Sequence, residues 1–400
     1  MRSPYVAPAR AVLAIAACAA AVVAAMEACG DDAPGSRPTT DASFDAATVV
    51  DSGVDARVVP KGQRVLGLAI PIEDLAFAEN VQIARDRGVR ATNVSLAWDE
   101  IERPYDAGAP DAADDAGDAG DSVAPTQLFN ASLHVANLVL SEYKTQALLA
   151  VLAVDVGGSR APAELATRPL DDAELGARYD RLTDYVLRST PDLDIAALFV
   201  GTDVDVALGD DAAKYSAFAT FLARAAAHAH AVKPGLKVGF TVTSDAMDGK
   251  SVRLAAAWAA SDVIGVTYLP IDAAAHVRGP SEVGADLDRI VAAAPSGKPI
   301  VLREAGYPTS PACGSSDAAQ AAFVSAVFGA WDRHGDRLPL VTFREVDDAP
   351  DRTVTTLAAR QRRTDAPFLA FLGSLGLRTA DARKKQGFDA MTREARARGF

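Results

Sequence analysis

The chain has 400 residues, 49% of them hydrophobic, so it can bury a sizeable core and form either one large barrel or more than one domain. Its formal net charge of −13 argues against a nucleic-acid partner, because phosphate neutralisation requires clustered lysine and arginine. Much of the negative charge lies in aspartate-rich segments that we predict to be linkers.

The amino terminus has the pattern of a secretory signal. Residues 1–10 carry two arginines, and an apolar run follows over 11–25, shorter than the ~20 residues of a membrane-spanning helix. The run ends in Met-Glu-Ala-Cys29-Gly, which resembles the lipobox of bacterial lipoproteins. Cys18 lies in a similar local sequence, but inside the apolar run. The resemblance implies signal peptide 1–29, lipidation of Cys29 as a membrane anchor, and a location in the cell envelope (outer membrane or facing the periplasm), the alternative being secretion.

Two segments have the composition of linkers. Residues 30–60 consist mostly of Asp, Ala, Thr, Ser, Gly and Pro, so they bury too little surface to fold and are interpreted as a flexible tether. Residues 106–122 repeat Asp, Ala and Gly, and we interpret them as a disordered acidic insertion. A calcium loop is the alternative, but its Asp-x-Asp-x-Asp-Gly order is missing. One folded domain is therefore expected over 61–400.

Strand and helix signals alternate along this domain. The predicted strands cover residues 64–70, 91–98, 146–154, 195–201, 237–243, 262–268, 299–302 and 338–343. The predicted helices cover residues 75–87, 127–142, 171–190, 211–232, 252–260, 281–294, 317–333 and 367–375, with a basic tail beyond. Eight alternations over this length predict a single-domain (β/α)8 TIM barrel rather than an open sheet.

Carboxylates and aromatic residues follow the predicted strands. In a barrel the carboxyl ends of all strands share one face. The residues at those ends are Trp98, Asp99, Glu100, Asp155, Thr202, Asp203, Asp205, Asp245, Tyr268, Glu304, Arg344 and Glu345. Aromatic rings stack on sugars, and paired carboxylates cleave glycosidic bonds. The alternative is an ordinary polar rim, in which Glu304 simply pairs with Arg303 or another cation.

Three local motifs carry a family resemblance, at residues 89–98, 261–270 and 303–310. With them, residues 64–391 resemble the (β/α)8 glycoside hydrolases of the clan that includes cellulase-like and galactanase-like enzymes. In that clan a Glu in an Asn-Glu pair ending strand four is the acid/base, and a Glu ending strand seven is the nucleophile. The resemblance therefore implies a carbohydrate ligand and a retaining two-carboxylate mechanism.

The resemblance also assigns individual residues. Glu304 takes the position of the nucleophile, Asp203 that of the acid/base, and Tyr268 that of a tyrosine that hydrogen-bonds the nucleophile. Trp98 is a candidate sugar platform, and Thr202 and Asp205 are further candidates for substrate contact.

Strand four departs from the clan, because Thr202-Asp203 replaces Asn-Glu. Asp203 is one methylene shorter than Glu, which widens the gap between two carboxyl groups that retaining chemistry holds about 5–5.5 Å apart. Two hypotheses follow. The chain is an exported hydrolase of β-linked poly- or oligosaccharides, or it is a non-catalytic glycan-binding or surface module on the same barrel.

The sequence contains no motif for a metal or a cofactor. His228 and His230 are two residues apart on a predicted helix and therefore on different faces, and no His-Glu-x-x-His pattern occurs. A Gly-rich phosphate loop and a Gly-x-Ser-x-Gly elbow are also missing. We therefore expect neither metal nor cofactor.

Overall fold

The computed structural model describes residues 58–104 and 126–400. The predicted signal peptide 1–29 with Cys29, nearly all of the linker 30–60 and the insertion 106–122 lie outside the described residues. The fold described below therefore belongs to the predicted barrel domain.

Eight parallel strands close into a barrel. They are β1 (Val65–Leu68), β2 (Ala91–Ala97), β3 (Gln146–Asp155), β4 (Ile195–Gly201), β5 (Val238–Thr243), β6 (Val263–Tyr268), β7 (Ile300–Ala305) and β8 (Leu340–Phe343). Each strand pairs in parallel with the next, and β8 pairs with β1. Their near-continuous apolar sequences suit a sheet buried on both faces. The (β/α)8 prediction is confirmed.

Helices surround the barrel. The longer ones are α1 (Phe77–Arg85), α2 (Ala131–Glu142), α3 (Ala173–Ser189), α4 (Ala212–Val232), α5 (Ser251–Ala260), α6 (Val283–Ala293), α7 (Asp317–His334), α8 (Asp351–Arg360), α9 (Ala366–Leu372) and α10 (Gln386–Arg398). The predicted helix 127–142 begins later, at α2, because Thr126–Leu128 pairs as a short strand with Glu102–Pro104. Asn130 caps α2 by accepting from the Ser132 amide at 2.9 Å.

The helix that completes the barrel wall is α10, not the predicted 367–375. Its buried side chains Phe388, Met391 and Ala395 join the main apolar core, and Arg398 pairs with Asp332 of α7 at 2.7 Å. The expected basic tail is thus a packed helix. The sequence signal is weak because alanines supply much of its buried face and arginines reach over it.

The interior of the barrel forms a separate apolar cluster. Neighbouring strand residues point to opposite faces, and alternate residues of β3 divide in this way between two clusters. Leu148, Ala150 and Leu152 belong to the inner cluster with Phe199 and Val301, whereas Leu149, Val151 and Ala153 belong to the layer beneath the helices. The inner cluster fills the barrel below its carboxyl-terminal mouth.

A third apolar cluster lies on the loops at this mouth. We call it the loop core, and its buried residues are Ala275, Cys313, Val354, Ala358, Phe368, Phe371, Leu372 and Leu375. They come from the segments after β6, β7 and β8, including α8 and α9. The residues predicted as the last barrel helix therefore cover the mouth instead of the wall. No helix within the described residues is long and apolar enough to cross a membrane.

Candidate active site

An irregularity in β7 places two consecutive charged side chains on the inner side of the barrel, Arg303 inside it and Glu304 at its mouth. Against β6, Leu302 pairs with Val266 and Glu304 with Thr267, so Arg303 is skipped; the register against β8 also shifts after Leu302. An extra residue of this kind is a β-bulge, which re-aims the side chains beside it. Arg303 is 1% exposed, and its guanidinium carbon lies 5.6 Å from the centre of the Phe199 ring inside the barrel.

Glu304 lies between two guanidinium groups. Arg303 Nη1 donates to its Oε1 at 3.2 Å, and Arg344 Nη1, from the end of β8, donates to its Oε2. Arg303 is itself held by Ser95, which accepts from its Nη2, and by Asn93, which donates to its carbonyl at 3.0 Å. The Glu304 side chain is 21% exposed. The carboxylate is thus fixed in orientation and still reachable from the mouth.

Asp203 occupies the end of β4 in a left-handed backbone conformation, with φ of 47°. Such a φ is uncommon outside glycine and is frequent at functional sites. Its Oδ1 is buried and has no hydrogen-bond partner among the described residues. Burial, and then the nearby negative charge of Glu304, raise the pKa of Asp203 to about 7, although a hydrogen bond with Thr267 acts in the opposite direction.

The two predicted carboxyl groups therefore lie near enough for the charge of Glu304 to act on Asp203, and their environments differ. Glu304 is paired with cations, whereas Asp203 belongs to none of the ion pairs formed by the described residues. When one of two neighbouring carboxyl groups has a raised pKa, that group can serve as the proton donor and its cation-paired neighbour as the nucleophile. That division of roles is what glycosidic cleavage by two carboxylates requires.

Glu345 adds a third carboxyl group, which the sequence placed at the end of strand eight without a role. It also has a positive φ, 51°. Burial raises its pKa, Arg344 opposes that rise, and the charge of Glu304 adds to it. Arg344 Nε lies 3.5 Å from Glu345 Oε1. The backbone conformation that singles out Glu345 is invisible in the sequence.

A cavity of about 160 Å³ lies beside Glu304 and Glu345, and Asp203 is not among the residues that line it. It is lined by the ends of β1, β2, β7 and β8, and its walls include Ile70, Asn93, Glu304, Arg344 and Glu345. Apolar wall residues beside a few converging polar groups are typical of small-molecule sites. Among residues 58–104 and 126–400, no group of three or more His, Cys, Asp or Glu side chains is placed to hold a metal ion.

Trp98 does not offer a face to the cavity. It is fully buried, its Nε1 donates to Glu102 Oε2 at 2.6 Å, and its ring meets Tyr179 edge-on with 5.3 Å between centroids. Glu102 in turn pairs with Arg178 at 2.6 Å. The expectation of a sugar platform is therefore wrong, because β2 continues into a helical turn that folds the indole inward.

The side chains of Tyr268 and Asp205 also make structural hydrogen bonds within the barrel. The Tyr268 hydroxyl donates to Asp286 Oδ2 at 2.8 Å beneath α6, so the expected hydrogen bond to Glu304 is replaced. Asp205 is 3% exposed and accepts from the Thr243 amide at 2.9 Å and hydroxyl at 2.8 Å, which ties β4 to β5. Thr202 lies half-buried at the rim, and a role in substrate contact stays a prediction.

Solved structures that resemble this chain include several glycoside hydrolases. The chain resembles an exo-β-1,4-mannosidase from Opitutaceae bacterium strain TAV5 with a TM-score of 0.56 at 16% identity, covering 84% of this chain and 59% of that one. It resembles GH5_18 from Streptomyces cattleya, solved with GlcNAc, with a TM-score of 0.60 at 16% identity, covering 83% and 80%. A GH10 xylanase from Thermobacillus composti gives 0.54 at 16% identity, covering 84% and 97%.

The fold is the one that these glycoside hydrolases share. At such identities the likeness concerns the fold alone, and this chain spans about three fifths of the mannosidase's length. No protein-family model and no curated protein matches the sequence. The chemistry has to be argued from the residues at the mouth.

Proposed function

We propose that this protein is an exported glycoside hydrolase that cleaves a β-linked poly- or oligosaccharide by a retaining two-carboxylate mechanism. The observation that carries the proposal is the contrast at the barrel mouth. Asp203 has a pKa raised to about 7, and the cation-paired Glu304 contributes to that rise. A proton donor and an anionic nucleophile are the two groups that this reaction needs.

In the first step, the Glu304 carboxylate attacks the anomeric carbon while Asp203 gives its proton to the departing glycosidic oxygen. The sugar is now esterified to Glu304, and Asp203 is a carboxylate. In the second step, Asp203 takes a proton from water, the water oxygen attacks the anomeric carbon, and Glu304 leaves as a carboxylate. The net reaction consumes one water, and both side chains return to their starting forms.

The two arginines serve the nucleophile in this scheme. Arg303 and Arg344 fix one oxygen of Glu304 each, which holds the carboxylate in one orientation for attack. They also stabilise the charge that returns to Glu304 when the covalent intermediate breaks. Asn93 and Ser95 act through Arg303 and are positioning residues.

The test is hydrolysis of a panel of aryl β-glycosides and β-linked polysaccharides by the purified protein. Glu304→Gln should abolish turnover with the fold retained, and Glu79→Gln, an exposed change on α1, should leave it unaffected. Glycan binding without turnover in the wild type would replace the proposal by the non-catalytic module that the Thr202-Asp203 departure suggests. If the wild type neither binds nor cleaves any glycan of the panel, both the hydrolase and the non-catalytic module are rejected.

Export rests on the amino-terminal sequence. We propose that Cys29 is lipidated and anchors the protein in the cell envelope, with residues 30–60 as its tether. In a bacterial host fed a labelled fatty acid, the wild type should take up label and sediment with membranes. Cys29→Ser should do neither, while Cys18→Ser should behave like the wild type. If Cys18→Ser lost the label and Cys29→Ser kept it, the lipidated residue would be Cys18.

A further inference from the structure

Helix α8 has one of its two anchors in the loop core. Val354 and Ala358, one turn apart on the same face, are 8% and 1% exposed. They lie in a cluster with Ala275, from the segment after β6, and Cys313, from the segment after β7. This face of α8 is therefore fixed to the β6–β8 side of the mouth by burial of apolar side chains.

The second anchor is polar and lies on the β2–β3 side. Arg360, the last residue of α8, places Nη2 3.1 Å from Glu100 Oε1 and Nη1 3.9 Å from Asp155 Oδ2. The backbone comes close as well, because a Cβ added at Gly157 would lie 3.5 Å from the Arg360 carbonyl oxygen. The contact is thus made by the chain itself and not only by a long side chain.

The β2–β3 side is a firm partner for Arg360. The buried Arg160 pairs with Asp99 and Asp155 at 2.7 Å each and with Glu100 at 3.0 Å. This network joins the segment after β2 to the segment after β3. Arg360 therefore attaches to a preformed set of carboxylates.

The order of strands places the partners of these two anchors on opposite sides of the barrel. In a ring of eight, β2 and β3 face β6 and β7. A helix packed on the loops after β6 and β7 and tied to those after β2 and β3 has to span the mouth. The side chains of Glu304 and Glu345, at the ends of β7 and β8, are 21% and 20% exposed.

We propose that α8 is a strap that closes one end of the cleft and makes the site specific for chain ends. The cavity beside Glu304 measures about 160 Å³, well under the roughly 300 Å³ at the lower end of small-molecule sites. Such a cavity holds a single sugar ring. Because the nucleophile bonds to the sugar on the non-reducing side of the cleaved bond, this ring is the non-reducing terminal sugar. This inference rests on the proposed function.

The first experiment needs no activity. Hydrogen exchange of the amides in 351–362 is compared for the wild type, Arg360→Ala and Arg352→Ala, where Arg352 is exposed on the same helix and lies outside the ion pairs of the described residues. Arg360→Ala should raise exchange roughly two- to fivefold, as loss of exposed ion pairs allows, and Arg352→Ala should not. Unchanged exchange in Arg360→Ala would overturn the strap.

The second experiment uses β-linked oligosaccharides that carry a fluorescent tag at the reducing end, with the non-reducing end either free or capped. The wild type should release monosaccharide from the free series and ignore the capped one, and Arg360→Ala should begin to cut the capped series internally. Internal cutting by the wild type would overturn the strap while leaving the proposed function intact. Faster exchange in Arg360→Ala, with no glycan cleaved or bound by either protein, would reject the function and keep the strap.

Discussion

Arg344, at the end of β8, donates from Nη1 to Oε2 of Glu304 on the neighbouring strand β7. The same guanidinium places Nε 3.5 Å from Glu345, so one cation sits between two carboxylates. Because burial disfavours an unpaired charge, removing any one of Glu304, Arg344 and Glu345 would leave its charged partners less well compensated.

Replacing Arg344 should misplace the nucleophile. In Arg344→Ala, Glu304 keeps Arg303 alone, and we expect kcat/KM to fall about 10- to 100-fold, mainly through kcat. Arg344→Lys should recover part of that loss because it keeps a cation, but not the fork that serves two carboxylates. Steady-state kinetics on an aryl glycoside measures both. If both variants raised KM equally and left kcat unchanged, a role of Arg344 in placing the nucleophile would be contradicted.

The pH profile should report Asp203. As the proton donor it must be protonated, and its pKa is raised to about 7. Activity should therefore fall as pH rises through about 7, and a basic limb of kcat/KM near that value checks the assignment. Asp203→Glu should shift this limb. A profile flat from pH 6 to 9 would contradict the assignment.

The same group should affect stability. The folded state holds the Asp203 proton up to about pH 7, whereas the ordinary pKa is 3.8. Between these values the folded state binds more protons than the unfolded state, so this contribution is full below pH 3.8 and is lost as pH rises through about 7. Urea unfolding at pH 5 and pH 8 should show a smaller pH-dependent loss in Asp203→Asn than in the wild type.

Asp203→Asn should also discriminate between leaving groups. Asparagine tolerates the left-handed conformation, so the fold should persist. Losing the acid should slow natural glycosides, whose leaving oxygen needs a proton, by about 10²–10⁴-fold. Nitrophenyl glycosides, which leave as weakly basic anions, should lose far less in their first step. Parallel assays on both substrate types make the comparison, and equal losses would reject an acid role.

Trp98 should behave as a scaffold residue. Trp98→Phe removes the hydrogen bond to Glu102. We expect the free energy of unfolding to fall by about 1–3 kcal/mol and KM to stay unchanged. Urea unfolding and glycoside kinetics test the two halves. A rise in KM without a loss of stability would restore the sugar-platform interpretation.

Much of the fold was legible in the sequence because it depends on local pattern. Apolar runs such as 146–154 place the barrel strands to within a few residues, and the amphipathic spacing of 211–232 predicts α4. The carboxyl ends of such strands share one face, so the positions of Asp203 and Glu304 at the mouth followed from the topology. The wall helix α10 did not, since its alanines and arginines give a weak pattern.

What each mouth residue touches was decided by the tertiary structure. The β7 bulge sends Arg303 into the barrel and gives Glu304 one of its two cations, and Glu345, which has a positive φ, lines the cavity. Trp98, Tyr268 and Asp205 are drawn into partners on other elements. Sequence pattern reports which residues are apolar and where strands end. Side-chain partners depend on register shifts and backbone angles, which arise only when the eight strands close on one another.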